Sequence, residues 1–180
     1  IYRETVQLKN SGKKGSPICF IAEKDEETIL DGADVLDLDW SIYKGNIYKA
    51  KMNNRDIDQL FLNGKMMVEA RWPNRKFPED LWNPSTWAGT GKGSRHGKVV
   101  DPELGKTNID WTGAVAVLNV AHQFFTWSRK VKEHTPGSNT FNYDENLSVI
   151  THFGDKTKPW EDDRYYLFGK LEALDTSGEW

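Results

Sequence analysis

One cysteine stands among the 180 residues, so no disulfide can form within the chain. A small fold without bridges must be held by its core, and the cysteine count leaves the compartment open. Long apolar runs are missing as well. Nothing approaches the roughly 18 consecutive apolar residues of a transmembrane helix, so a membrane partner is not expected. An excess of positive charge is missing too: 24 Lys and Arg against 27 Asp and Glu give a net charge of −3. A nucleic-acid binder needs clustered Lys and Arg to neutralise phosphate, so that partner is not expected either. The chain has no G-x-G-x-x-G, Walker loop, H-E-x-x-H, C-x-x-C or G-x-S-x-G. Its four histidines, His96, His122, His134 and His152, lack the spacing of a local zinc motif. Aromatic residues are what it has in number: eight Trp, six Tyr and eight Phe, enough to build a core in one domain or in one domain and part of another.

Short apolar runs separated by Gly, Asn, Asp and Pro predict a mainly all-β chain. Val6–Leu8, Pro17–Ala22, Thr28–Leu30 and Val35–Leu38 are strand candidates, with Cys19 expected as a small buried hydrophobe in the second. Gly45–Met52 alternates and reads as a further strand. Asn63-Gly64, between the apolar flanks of the segment 58–70, predicts a hairpin, because a type I′ turn needs φ > 0 at both central residues. From Pro73 to Gly97 the pattern fails, and so long an irregular segment is often functional. Strands resume at Thr112–Ala121, Gln123–Val131, Asn139–Tyr143 and Leu147–His152, a set suited to a β-sandwich-like arrangement. Tyr165, Leu167, Phe168, Leu171 and Leu174 predict a short helix over Asp162–Leu174.

A pyranose has an apolar face of C–H groups that stacks on indole, so saccharide sites pair Trp with polar side chains. Trp82, Trp87 and Trp160 lie in Pro-, Asn-, Asp- and Gly-rich sequence and are the candidate sugar platforms; Trp40, Trp111 and Trp127 lie at strands and are expected in the core. Arg95 and His96, in the same irregular segment, are candidate polar partners. Asp37 and Asp39 share a strand face, and Glu161-Asp162-Asp163 offers the oxygen ligands calcium takes, without EF-hand spacing. Calcium is the one cofactor considered.

Three regions carry a family resemblance. Gly45-Asn46-Ile47-Tyr48-Lys49-Ala50, followed by Gln59-Leu60-Phe61-Leu62-Asn63-Gly64 and Ala70-Arg71-Trp72-Pro73-Asn74, resembles a signature of bacterial right-handed parallel β-helix proteins that act on polysaccharides. Leu171-Glu172-Ala173-Leu174-Asp175 with Gly178-Glu179-Trp180 resembles a later element of the same proteins. Asn10–Gly12, Pro17-Ile18 and Ile29-Leu30-Asp31-Gly32 are similar to their first coils. The resemblance covers about half of the chain and matches nothing over 75–160. It implies an incomplete β-helix start over 1–44, an inserted β-domain over 45–160 and a return to the β-helix over 161–180. It also implies a secreted bacterial protein, extracellular or periplasmic, a polysaccharide or oligosaccharide partner, and the remainder of a parent β-helix protein. Arg71 and Trp72 match its motif and are expected to be architectural before ligand-contacting.

Three functions follow as expectations. The first is a non-catalytic carbohydrate-binding or substrate-positioning domain of a glycoside hydrolase or polysaccharide lyase, inactive in isolation. The second is part of the catalytic unit itself, completed by residues beyond Trp180. The third is a structural or assembly domain without a ligand. The opening Ile1–Val6 has no basic or apolar leader, and Ser177–Trp180 forms no polar tail, so the chain is expected to be a piece of something longer.

Overall fold

The computed structural model describes residues 1–53, 57–80, 83–145 and 158–180. The chain divides into two compact units, Ile1–Asp56 and Ile57–Trp180.

The first unit is extended chain with little regular pairing. Tyr2 and Leu30 form an isolated parallel bridge, through Tyr2 N–H to the Ile29 carbonyl (2.8 Å) and Asp31 N–H to the Tyr2 carbonyl (2.9 Å). Among the described residues of this unit the strands are β1 (Ser41–Lys44) and β2 (Ile47–Lys49), an antiparallel hairpin. The four short strands expected before residue 40 do not form, apart from that bridge at Leu30. A strand needs a neighbour for its ladder and a surface for its apolar face, and these segments find neither here. No described residue of this unit is buried. Leu8, Phe20, Ile21, Leu30 and Val35 are each more than two-thirds exposed. Cys19 is exposed and Trp40 is half exposed, which corrects the expectation that both lie in a core.

The second unit begins with the hairpin β3 (Phe61–Leu62) and β4 (Lys65–Met66), paired Phe61 to Met66 and Leu62 to Lys65. Asn63 and Gly64 take φ of 51° and 74°, the left-handed pair that the Asn-Gly turn predicts. The main sheet is built from β5 (Arg71–Trp72), β6 (Ala88–Gly89), β7 (Lys98–Val100), β8 (Val115–Val120), β9 (Phe125–His134), β10 (Thr140–Tyr143) and β11 (Arg164–Phe168). Its order is β5-β11-β8-β9-β10-β7, with β6 also pairing β11, and every ladder is antiparallel. The chain is therefore mainly β, as its turn-punctuated sequence predicts. The expected strands 112–121, 123–131 and 139–143 appear as β8, β9 and β10; the expected strand Leu147–His152 lies outside the described residues.

The helix expected over Asp162–Leu174 is instead strand β11 followed by a 3₁₀ turn at Leu171–Ala173. Tyr165 and Leu167 are buried while Arg164, Tyr166 and Phe168 are half-buried, the period of two that a strand gives. Neighbours on both sides satisfy its backbone, and Gly169, at φ 82°, turns the chain away at its end.

Ten-residue β9 serves two ladders. Residues 125–130 pair with β8, and 131–134 pair with β10 across an irregularity where Asn142 opposes Glu133 but Tyr143 opposes Val131. A bulge of this kind bends and twists the sheet. Strands β10 and β11 are three places apart in the sheet order, roughly 14 Å if it were flat. Yet the Phe141 and Tyr165 rings stand 5.5 Å apart, so the sheet curls onto its own inner face. Trp111, Phe141, Tyr143, Tyr165, Leu118 and Leu167 fill that interior. One buried polar bond crosses it, from the Tyr165 hydroxyl to Asp101 Oδ2 at 2.9 Å. Tyr165→Phe leaves that carboxylate oxygen without its donor and is expected to cost about 1–3 kcal/mol in urea denaturation; an unchanged midpoint and slope would show the bond to be dispensable.

Candidate functional site

The candidate residues divide between two aromatic clusters, one on each face of the sheet. Alternation along β11 turns Tyr166 away from the interior, and β5 brings Arg71 into register beside it, opposite Phe168. The Arg71 guanidinium lies 4.4 Å from the centre of the Tyr166 ring. Its Nε donates to the Pro73 carbonyl at 2.8 Å, and Nη2 donates to the Thr86 carbonyl and, at 3.3 Å, to Thr86 Oγ1. Trp87 meets the same ring edge-on at 4.7 Å. The turn that delivers Trp87, Pro84–Thr86, is capped by Asn83, whose Oδ1 accepts from Ser85 N–H at 3.0 Å. Burial, with Arg75 nearby, lowers the Arg71 pKa to about 10. This arrangement ties the irregular segment to the sheet and leaves Arg71 buried. Trp72, the next residue, faces inward, 6.3 Å from Trp111 and 6.0 Å from Tyr165.

The second cluster unites Arg95, His96 and Trp160. Trp160 is half-buried; its N–H donates to the Ser94 carbonyl at 2.9 Å, and its carbonyl accepts from Thr90 Oγ1 at 2.7 Å. Its ring stands 5.4 Å from His96 and 6.2 Å from Trp127. His96 in turn stacks on Trp127 at 5.9 Å and meets Tyr143 edge-on at 6.1 Å. Exposed Arg95 bridges to Pro159 and donates from Nη1 to the His96 carbonyl at 3.3 Å. Arg129, two residues along β9 from Trp127 and so on the same face, sets its guanidinium 4.5 Å from the Trp127 ring centre. Burial pushes the Tyr143 phenol up; Gly97 opposes, Glu145 adds to the shift, and Arg129 and Arg95 oppose it. Those three charged side chains therefore act on one hydroxyl. Trp127 Nε1, Arg129 Nε and the Tyr143 hydroxyl are buried donors without an acceptor among the described residues. Aromatic faces beside uncommitted donors suit a ligand rich in oxygen acceptors.

Trp82 lies outside the described residues, as does His152. Trp127 lies in the buried core, as its strand position predicts, and still reaches this cluster; Tyr143 and Arg129 are the members that sequence reasoning missed, the step of two from Trp127 to Arg129 along a strand being the one signal. Glu161 and Asp163 hold separate partners. Glu161 Oε1 accepts from Gly93 N–H at 2.8 Å, and Asp163 Oδ1 accepts from Gln123 N–H at 3.1 Å. Among the described residues no three His, Cys, Asp or Glu side chains lie together as a cation site, so the calcium geometry considered at Glu161–Asp163 is not formed by those side chains.

No family model and no curated protein matches the sequence. A solved structure named "Glycoside hydrolase" does match, with a TM-score of 0.53 and 22% identity. The match covers 88% of this chain and 28% of that one, so the chain spans little more than a quarter of that protein's length. The likeness is one of fold. No helix among the described residues is long and apolar enough to cross a membrane.

Two outcomes test the electrostatics. Lysine cannot reach both Pro73 and Thr86 with a planar fork, so Arg71→Lys is expected to lose about 1–3 kcal/mol in urea denaturation. Burial raises the carboxyl pKa of Glu69, Glu179 and Asp163. The folded chain then holds protons that the unfolded chain releases, so stability falls as pH rises above the ordinary carboxylate range of about 4. The melting temperature is expected to rise on going from about pH 7.5 to about pH 5, and Glu179→Gln is expected to shrink that rise.

Proposed function

We propose that the chain is a non-catalytic carbohydrate-binding or substrate-positioning β-domain of a secreted bacterial protein that degrades polysaccharide. The observation that carries this is the cluster around Trp160: a half-buried indole on a fixed backbone, a second indole beneath it, two guanidinium groups, and buried donors with no acceptor among the described residues. Saccharide hydroxyl and ring oxygens supply the acceptors, and pyranose C–H faces supply the stacking partner. The likeness in fold to a protein named glycoside hydrolase supports the same class of partner. Asp163 and Glu179 accept backbone N–H bonds, at 3.1 Å from Gln123 and at 3.1 Å from Thr176, which favours a structural use of the buried carboxylates over acid–base chemistry.

The first unit supports a further partner, the remainder of a parent protein. Its apolar residues lie open, and its one parallel bridge is the pairing a β-helix coil uses. A second reading makes the chain part of the parent's catalytic unit, and the length of the structural neighbour favours it: 72% of that chain has no counterpart here. Reducing-end release and unsaturated-product absorbance separate the two, since activity in the isolated chain rejects the binding role.

Calorimetry and affinity electrophoresis against arabinoxylan, polygalacturonate and a sulfated fucan test the binding role directly. Trp160→Ala is expected to weaken binding about tenfold, roughly 1.4 kcal/mol, without loss of fold. Trp87→Ala, which removes a packing contact on the other face, is expected to lower the melting temperature and leave affinity unchanged. Absence of binding to all three, or a Trp160→Ala variant that binds like the parent, refutes the proposal.

A further inference from the structure

The turn between β8 and β9 is built at a conformational cost that a hairpin does not require. Ala121, His122 and Gln123 take φ of 56°, 61° and 61°, three consecutive left-handed residues, none of them glycine. Side chains disfavour that region because Cβ crowds the following carbonyl. The same chain turns a hairpin at Asn63-Gly64 with residues suited to it, so the geometry at 121–123 is not a general need of the fold. Backbone held in sparse regions persists only where the surroundings over-determine it, and such positions gather at functional sites.

What over-determines this turn is Asp163. Asp163 is 2% exposed, and its Oδ1 accepts from Gln123 N–H at 3.1 Å; against burial, the Ala121 and His122 amides also favour its charged form. Successive left-handed residues aim consecutive N–H groups at one point, the concave arrangement that binds anions. Phe124 N–H closes the turn on the Val120 carbonyl at 3.1 Å. With the amides drawn inward, the turn presents His122 and Phe124 at the surface, and the Phe124 ring is 79% exposed.

The turn is also coupled to the Trp160 cluster. Asp163 N–H donates to Thr90 Oγ1 at 2.9 Å, and the same hydroxyl donates to the Trp160 carbonyl at 2.7 Å. One threonine therefore sets both the carboxylate under the turn and the backbone of the candidate platform. Phe125, the residue after Phe124, lies 5.2 Å from the Trp127 ring.

We infer that Ala121–Phe124 is a second saccharide contact of the same site, with Phe124 as a stacking face and His122 as a hydrogen-bonding neighbour for one pyranose unit of a polysaccharide chain. Asp163 is the positioning residue that holds the turn. The inference rests on the carbohydrate-binding role proposed above. An apolar ring on a rigid turn loses little conformational freedom when a sugar stacks on it, so the strain in the backbone becomes preorganisation of the contact.

The test uses the 180-residue chain and whichever of arabinoxylan, polygalacturonate or sulfated fucan it binds. Phe124→Ala and Phe124→Leu are expected to weaken binding at least fivefold with the melting temperature held, and Phe124→Trp to keep or improve it. Asp163→Asn is expected to weaken binding as well. Ala121→Gly together with Gln123→Gly, which makes the left-handed turn inexpensive, is expected to restore part of that loss, whereas a purely structural Asp163 would show recovery of melting temperature alone. If both Phe124→Ala and Phe124→Leu bind like the parent while Trp160→Ala does not, the second contact is overturned and the binding role stands. If the parent binds none of the three polysaccharides, the binding role falls and this contact with it.

Discussion

The second unit depends on strand β9 being long enough to belong to two ladders at once. Its first six residues pair with β8 and its last four with β10, and the irregular register at Tyr143 gives the sheet its bend. From that bend comes the approach of Phe141 to Tyr165, and with it an interior lined by the inner face of one curled sheet. The Tyr165–Asp101 bond follows from the same closure, because Asp101 sits just past β7, at the far end of the strand order from β11. A flat sheet of this size would hold the Phe141 and Tyr165 rings too far apart to touch.

The curl also sorts the chemistry. Period-two alternation sends Tyr165 and Leu167 inward and Tyr166 outward on β11, and places Phe125, Trp127 and Arg129 on a shared face of β9. Each face then carries an arginine over an aromatic ring, and the difference between them is informative. Arg71 gives its donors to Pro73 and Thr86. Arg129 leaves Nε without a partner among the described residues, next to a Trp127 indole and a Tyr143 hydroxyl in the same state. A buried guanidinium that ties Pro73 and Thr86 to the sheet is architecture, whereas buried donors without acceptors carry a desolvation cost that a ligand or ordered water relieves. The proposed binding role rests on the Trp160 side for that reason.

What could be read from the sequence was what local physics decides. Asn63-Gly64 declared its turn because the left-handed preference belongs to those two residues alone. The strands β8, β9 and β10 were legible because long β-branched and aromatic runs suit a sheet wherever it lies. The segment 162–174 misled because its apolar residues satisfy steps of two and of three together, and only the neighbours β8 and β5 settle which period is used. Arg95, His96 and Trp160 were picked out singly, but Trp127, Tyr143 and Arg129 join them through the pairing of β9 with β10, which no local pattern shows. The left-handed turn at 121–123 was invisible for the opposite reason: Ala-His-Gln carries no turn signal, and Asp163, which imposes the geometry, lies forty residues from Gln123.

The two units differ in what their apolar residues accomplish. In the second, Trp111, Leu118, Phe141 and Leu167 are fully buried, and at about 25 cal/mol per Å² such burial is the main source of stability. In the first, alternation of apolar and polar residues is just as evident in the sequence, yet no described residue is buried. Alternation without burial gives no hydrophobic stabilisation, and a segment of that size lies at the lower limit for independent folding even with a core. Its sequence therefore specifies a face rather than a core. The parallel bridge between Tyr2 and Leu30 pairs two extended segments there without giving either an apolar surface to bury against.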